Sequence, residues 1–160
     1  MNHTTIDTPA GPLTIAVTEP GVVCRAVFSS ADHALFREST YQADLGDVSK
    51  AVYAYLEGDL SVLDEVAVRP QPAGEFHTEV RRVLRSVPPG RPITYTALAA
   101  QTGRPSAVRA AANACARNDV ALFVPCHRVI RGDGGLGGYL WGLDVKRWLL
   151  EHEGLAPGRI

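Results

Sequence analysis

Residues 94–117 read TYTALAAQTGRPSAVRAAANACAR, and this stretch decides the fold of the second half of the chain. Thr94 is a favourable N-cap for a short helix, which ends at the glycine-containing turn of residues 102–104. Pro105 suits the first position of a second helix, residues 106–117. Two short helices joined by such a turn are typical of a helix-turn-helix.

The second of these helices carries six alanines around Arg109. A helix without bulky side chains can lie close to another surface, and in a helix-turn-helix this favours insertion into a DNA groove. Alanine is also the best helix former, so the composition has a purely local explanation as well. Both explanations stay open at this point.

A stretch rich in proline and glycine, residues 69–74, separates two regions of different pattern. Residues 1–73 contain three β-branched runs that predict a small antiparallel meander, followed by a helix with Asp47 as its N-cap. The three runs are residues 4–8, 13–17 and 22–28. Residues 74–160 are predicted to be helical, and their last helix begins at an Asp144 cap. The expected fold class is α+β with two domains.

Charge is distributed unevenly along the chain, although the formal net charge is only −1. Residues 1–75 carry 4 Lys and Arg against 11 Asp and Glu, whereas residues 76–160 carry 12 against 6. The window 77–118 holds seven arginines and one acid, Glu79. The second half is therefore the part suited to face a polyanion. A solvated surface without a partner is the alternative.

The chain has three cysteines, Cys24, Cys115 and Cys126. Their odd number and the lack of a C-x-x-C pair favour reduced thiols in a cytoplasmic protein, without a metal. A metal site that combines Cys24 with His3, His33 or His77 stays open, although the spacing does not favour it. No apolar run approaches the ~18 residues needed to cross a bilayer.

Residues 123–130 read FVPCHRVI and precede a glycine-rich loop. Cys126 beside His127 suggests a nucleophile and a base, because the thiolate is the reactive form of cysteine and imidazole can accept its proton. Neighbouring residues of an extended strand point to opposite faces, so we expect a bridging water between them. The alternative is a small buried hydrophobic cysteine, which is what most free cysteines are.

Glu153 falls in the last turn of the final predicted helix, where the helix dipole disfavours a negative charge. A hydrogen bond to His127 would stabilise this carboxylate, fix the imidazole tautomer and raise its basicity. The three residues would then form a relay, Cys126, His127 and Glu153. An exposed terminal glutamate without a function is the alternative.

Pro125-Cys126-His127-Arg128-Val129 resembles the active-site motif of the O6-alkylguanine-DNA alkyltransferases, also called methylated-DNA–protein-cysteine methyltransferases. The resemblance covers about residues 74 to 154 and, more weakly, residues 5–9 and 11–13. The other matching positions are Tyr95, Arg109, Asn118, Gly138, Tyr139, Trp141, Gly142, Lys146, Trp148, Leu149, Leu150 and Glu153.

The resemblance implies a ribonuclease-H-like N-terminal domain and a C-terminal domain of winged-helix or helix-turn-helix type. It implies a monomer without a cofactor that moves the alkyl group of O6-alkylguanine, and of O4-alkylthymine, from duplex DNA to Cys126 in a single turnover. The target base leaves the duplex first. His127 is then implied as the base, Glu153 as its orienting group and Tyr95 as the proton donor toward guanine N3.

The resemblance also implies which residues contact DNA and the target base. Arg109 would take the place of the extruded base in the stack, and Asn118 would be a structural hinge. The implied DNA-contacting residues are Thr94, Arg104, Arg109, Ala110, Ala112 and Asn113. The implied pocket residues are Pro125, Val129, Tyr139, Leu140 and Trp141.

The chain departs from the usual pattern of the family at several positions. These are Arg81, Ala111, Ala112, Asp119 and Leu140, where the family commonly has Trp, Val, Gly, Pro, and Ser or Arg. None of them removes a catalytic group, so we expect them to affect alkyl-size preference and DNA affinity.

Three other functions share part of this pattern. A lesion-binding alkyltransferase-like protein lacks the reactive cysteine, which is present here as Cys126. A Cys-His hydrolase acting on acyl groups would turn over, so stoichiometry distinguishes it. A transcriptional activator of the adaptive-response type needs a further domain and metal-binding cysteines, for which we expect no room in 160 residues.

Overall fold

A computed structural model describes residues 1–156, which divide into two compact units. The first unit contains residues 1–71 and, from later in the chain, residues 119–123. The second unit contains the rest of the described chain. The sequence interpretation instead had two continuous domains, 1–73 and 74–160, of which residues 157–160 lie outside the described residues. It did not predict that residues 119–123 belong to the first unit, because a stretch of five residues carries no pattern that identifies the sheet with which it pairs.

The first unit is built on a five-stranded sheet with the order β4-β1-β2-β3-β5. The strands are β1 Asn2–Thr8, β2 Gly11–Glu19, β3 Val22–Val27, β4 Thr40–Tyr41 and β5 Ala67–Val68. The predicted antiparallel meander is confirmed as β1 to β3. A purely antiparallel sheet is wrong, however, because both edge strands pair in parallel. Strands of two residues are too short to show an alternating pattern in the sequence.

Residues 119–123 join the first unit by pairing with β3. Ala26 N donates to Asp119 O at 3.0 Å, and Ala121 N donates to Ala26 O at 2.7 Å. Leu122 then has a φ of 71°, and Phe123 N donates back to Ala121 O at 2.8 Å. This is a γ-turn with positive φ, a strained conformation for leucine. The strained turn lies just before the segment that carries the Cys-His pair.

The second unit contains most of the helices and a pair of short parallel strands. Its elements are α2 Glu75–Ser86, β6 Ile93–Thr94, α3 Tyr95–Gln101, α4 Val108–Ala116, β7 Val129–Ile130 and α5 Leu143–His152. The two predicted helices joined by a turn are α3 and α4, and the Thr94 side chain caps α3 as expected. Helix α4 begins at Val108 rather than at Ser106, because Ala107 N donates to Arg104 O in a separate turn.

Two helix starts differ from the sequence expectation. The first unit's helix α1, Asp47–Leu56, is capped by Gly46 with a φ of 69°, and α5 is capped by Gly142 with a φ of 105°. Asp47 and Asp144 are therefore not N-caps, and each lies in a first turn, where the helix dipole favours a negative charge. In residues 1–156 no helix is both long and apolar enough to cross a membrane.

Candidate active site

Two consecutive hydrogen-bonded turns position Cys126. Pro125 has φ −82° and ψ 64°, and Cys126 N donates to Val124 O at 2.8 Å, which is an inverse γ-turn. Residues Cys126–Arg128 then form one turn of 3₁₀ helix. The extended strand expected here is therefore wrong, since the chain turns at proline. Successive side chains of a 3₁₀ turn lie about 120° apart, so Cys126 and His127 still point in different directions.

Asn118, two residues after the end of α4, donates a hydrogen bond to the Cys126 sulfur. Its Nδ2 donates to Val124 O at 2.8 Å and to Cys126 Sγ at 3.2 Å, and all three groups are buried. Burial raises the pKa of the Cys126 thiol, whereas the Asn118 hydrogen bond and the charge of Lys146 lower it. Asn118 therefore both connects two segments and favours the thiolate.

His127 is fully buried and contacts Glu153. Its Nε2 lies 2.8 Å from Glu153 Oε2, which confirms the hydrogen bond expected from the sequence. Because a carboxylate accepts, we assign the proton to Nε2 and the lone pair to Nδ1. His127 Nδ1 is buried and has no hydrogen-bond partner within residues 1–156. This nitrogen is therefore available as a base.

Arg128 belongs to the same cluster, and the sequence reasoning missed its role. Its Nε and Nη2 donate to the two oxygens of Glu153 at 2.8 and 3.0 Å, and its Nη1 donates to Val87 O at 2.8 Å. Burial raises the pKa of Glu153, but His127 and Arg128 outweigh burial and hold that pKa below its ordinary range. The carboxylate thus stays ionised. Arginine is rarely buried, so the sequence carries no signal beyond the motif itself.

A cavity of about 480 Å³ opens onto Cys126. The residues that line it are Tyr95, Ala112, Cys115, Ala116, Cys126, Arg131, Gly137, Gly138, Tyr139 and Leu140. Its volume falls in the range of small-molecule sites, roughly 300–1,000 Å³. The structure therefore brings five of the sequence-predicted site residues to one cavity: Tyr95, Ala112, Cys126, Tyr139 and Leu140.

Tyr95, the first residue of α3, lies against the glycine-rich loop. Burial raises its pKa to about 12, so the phenol is protonated at neutral pH and can donate a hydrogen bond. A Cβ atom at Gly137 would lie only 2.7 Å from the Tyr95 hydroxyl oxygen, and Gly137 has a φ of 72°. Glycine is required at this position for both reasons.

Lys146 and Cys115 are two ionisable residues near the nucleophile whose placement the sequence did not indicate. Lys146 Nζ donates to Val129 O at 2.7 Å and to Gly138 O at 3.1 Å, which ties β7 to the glycine-rich loop. Burial lowers the pKa of Lys146 to about 8. Burial raises the pKa of the Cys115 thiol, which shares the cavity with Cys126. Two thiols therefore face one cavity, and Asn118 favours the thiolate of Cys126.

The residues expected to contact DNA lie outside this cavity, except for Ala112. Arg109, Ala110 and Asn113 are exposed on α4. The Arg104 guanidinium lies 5.5 Å from the centre of the Phe76 ring. These exposed side chains leave one face of α4 accessible, as a groove-binding helix requires.

Three residues expected in the pocket do not line the cavity. Pro125 and Val129 are buried in the same segment as Cys126. Trp141 packs edge-on against Tyr139, with ring centres 5.2 Å apart. Trp141 therefore supports the wall that Tyr139 forms.

The alternative metal site has no support in residues 1–156, which contain no cluster of three His, Cys, Asp or Glu residues able to hold a metal ion. Cys24, His3 and His33 each form hydrogen bonds within the first unit. His77 lies against the ring of Phe76.

Known proteins resemble this chain in sequence and in structure. A family model described as the 6-O-methylguanine DNA methyltransferase DNA-binding domain matches residues 75–155. The methylated-DNA–protein-cysteine methyltransferase of Methanosarcina acetivorans is 34% identical over 157 residues, which cover 96% of this chain and 99% of that protein. The crystal structure of Mycobacterium tuberculosis O6-methylguanine methyltransferase has a TM-score of 0.82 at 31% identity, covering 98% of this chain and 95% of that one.

Other relatives are longer than this chain. The methylated-DNA–protein-cysteine methyltransferase of Salmonella typhimurium is 44% identical over 111 residues, which cover 68% of this chain and 63% of that protein. The chain spans 45% of the length of the Escherichia coli bifunctional transcriptional activator/DNA repair enzyme Ada, to which it is 33% identical. The chain thus spans less than two thirds of these two relatives.

Proposed function

The chain belongs to the O6-alkylguanine-DNA alkyltransferase family, and we propose that it repairs duplex DNA by moving the alkyl group of O6-alkylguanine irreversibly to its own Cys126. O4-alkylthymine is a second lesion within this proposal. The proposal rests on the position of Cys126 between a cavity and a buried histidine–glutamate pair. The Cys126 sulfur faces a cavity large enough for a base, and a buried His127–Glu153 pair with a free Nδ1 lies beside it.

The chemistry begins with loss of the Cys126 proton. We infer that His127 Nδ1 takes it through a bridging water, while Glu153 stabilises the imidazolium. The thiolate attacks the alkyl carbon, so an S–C bond forms as the C–O6 bond breaks and its electron pair stays on guanine. The departing guanine thereby gains a negative charge, which a hydrogen bond from Tyr95 to N3 stabilises. The proton that left Cys126 finally protonates guanine and makes it neutral. A thioether has no easy route back to a thiol, so each molecule reacts once.

Guanine would be selected by backbone groups of the turn and the loop. The carbonyl of Cys126 accepts from Val129 N, and the carbonyl of Val129 accepts from Lys146 Nζ at 2.7 Å. A carbonyl oxygen has two lone pairs, so each can also accept from the exocyclic amine of guanine. The amide of Leu140 would face O6. Lys146 would thereby orient one of the two selecting carbonyls.

DNA is the proposed partner of helices α3 and α4. Residues 77–118 carry seven arginines against one acid, and α4 presents exposed alanines together with Arg109. We propose that α4 lies in the minor groove and that Arg109 fills the space of the extruded base. Thr94, Arg104, Ala110, Ala112 and Asn113 complete the proposed contact set, and Asn118 is the proposed hinge. A ribonuclease-H-like first unit, a winged-helix-like second unit, a monomer and a cytoplasmic location complete the proposal.

The decisive experiment measures methyl uptake by intact-mass spectrometry after incubation with an excess of duplex containing O6-methylguanine. We expect one added methyl per molecule, located in the tryptic peptide of residues 118–128. That peptide contains Cys126 and no other cysteine. Several turnovers per molecule would instead indicate a hydrolase, and a methyl located elsewhere would contradict the assignment of the nucleophile.

Two variants give matched controls. Cys126→Ser should take up no methyl, since serine is a far weaker nucleophile at neutral pH. Cys24→Ser replaces a buried cysteine of the first unit and should still take up one methyl. Undiminished uptake by Cys126→Ser would refute the proposal.

A further inference from the structure

A second groove adjoins the cavity of Cys126. It has a volume of about 480 Å³, and its lining residues are Arg131, Leu136, Gly137, Gly138, Leu143 and Arg147. We call it the loop groove. Arg131, Gly137 and Gly138 line both the loop groove and the Cys126 cavity. The two depressions are therefore neighbours.

The charged residues that line the loop groove are both arginines. Arg131 pairs with Asp133 at 2.9 Å, and these side chains are 63% and 61% exposed. Arg147 pairs with Asp144 at 3.4 Å, and that carboxylate is fully exposed. Exposed ion pairs of this kind stabilise a protein little, so a phosphate oxygen can replace either carboxylate at small cost. Lys146 Nζ already donates to two backbone carbonyls, so we do not count it among the phosphate-binding groups.

A base that enters the Cys126 cavity leaves its sugar and phosphates at the mouth of that cavity. Arg131 is exposed and lines both the cavity and the loop groove, which Arg147 also lines. We propose that Arg131 and Arg147 bind backbone phosphates of the duplex beside the extruded nucleotide, as a second DNA contact outside α3 and α4. The inference rests on the proposed function, because it takes the cavity as the site of the target base.

The test measures how the affinity for a duplex containing O6-methylguanine depends on salt, with every variant built on Cys126→Ser so that the base can enter the cavity without reacting. Each phosphate contact that is lost lowers the slope of log K against log salt by about 0.9. Arg131→Ala should therefore lower the slope by about 0.9 and the double variant with Arg147→Ala by about twice that. Arg69→Ala is the matched control, since Arg69 is also exposed and also pairs with an exposed acid, Glu19, but lies outside residues 77–118. Its slope should equal that of Cys126→Ser alone.

Asp133→Asn should change the affinity for DNA in the opposite direction. It removes the charge that competes with phosphate for Arg131 but keeps the Oδ1 that accepts from Gly135 N. We expect tighter DNA binding. Equal slopes for the Arg131 and Arg147 variants and for Arg69→Ala, or weaker binding by Asp133→Asn, would overturn the inference.

Methyl uptake separates this inference from the proposed function. Because Arg131 lines the Cys126 cavity, methyl uptake is measured on the wild type and the arginine variants are compared by their salt slopes alone. If the wild type takes up no methyl, the proposed function fails, whereas the salt slopes still report on phosphate binding.

Discussion

Replacing Asn118 with alanine removes a single amide that serves two acceptors, Val124 O at 2.8 Å and Cys126 Sγ at 3.2 Å. A hydrogen bond to a charged group contributes about 1.5–3 kcal/mol, so its loss should make the Cys126 thiolate about 10- to 150-fold scarcer at a given pH. The buried Val124 carbonyl also loses a donor, which should lower the free energy of unfolding by about 1–3 kcal/mol.

The assay follows alkylation of Cys126 by iodoacetamide as a function of pH, read from the tryptic peptide of residues 118–128. In Asn118→Ala the midpoint should move to higher pH, because the hydrogen bond that lowers the pKa of the thiol is gone. Above the new midpoint the two proteins should react at equal rates. Methyl transfer from duplex DNA should slow in parallel at neutral pH.

The two roles of Asn118 can be told apart in the same experiment. An unchanged midpoint, with a rate that is lower at every pH, would mean that Asn118 only holds the backbone near Val124. That outcome would refute the argument that it stabilises the thiolate. Denaturant unfolding of Asn118→Ala, measured first, establishes that the variant is folded under the conditions of the assay.

Three further predictions concern the groups around the nucleophile. Arg128→Met should lower the free energy of unfolding by about 3–5 kcal/mol, because it leaves the buried Glu153 carboxylate without its cation. Chemical denaturation measures this loss. Arg82→Ala, at an exposed arginine, should lower the same free energy by less than about 0.5 kcal/mol. Since the folded pKa of Glu153 lies below its ordinary value of 4.5, its contribution to stability is present above that pH and is lost as the pH falls through the folded pKa. The acid-induced loss of stability should therefore be smaller in Glu153→Gln, and equal losses would exclude this carboxylate as the cause. Gly137→Ala should slow methyl transfer by up to about a hundredfold by displacing Tyr95, yet leave iodoacetamide alkylation unchanged.

Much of the fold was predictable because its signals are local. The three strands β1 to β3 follow from β-branched runs separated by turn residues, and the Thr94 cap follows from its hydroxyl. The errors were also local in origin. Helices α1 and α5 have glycines with positive φ at their N-caps, where aspartates were predicted. Strands β4 and β5 have two residues each, which is too short for a pattern to be recognised.

The sequence by itself predicted the family, with Cys126 as the nucleophile and His127 as its base. It did so because residues 125–129 and the matching positions around them resemble the family's motif. Only the tertiary structure decided how they act together. The hydrogen bond between Nε2 and Glu153 leaves Nδ1 without a partner among residues 1–156, and Arg128 is buried as the partner of Glu153. Such facts depend on which distant segments meet and on how deeply each group is desolvated, and neither is encoded in the spacing of residues along the chain.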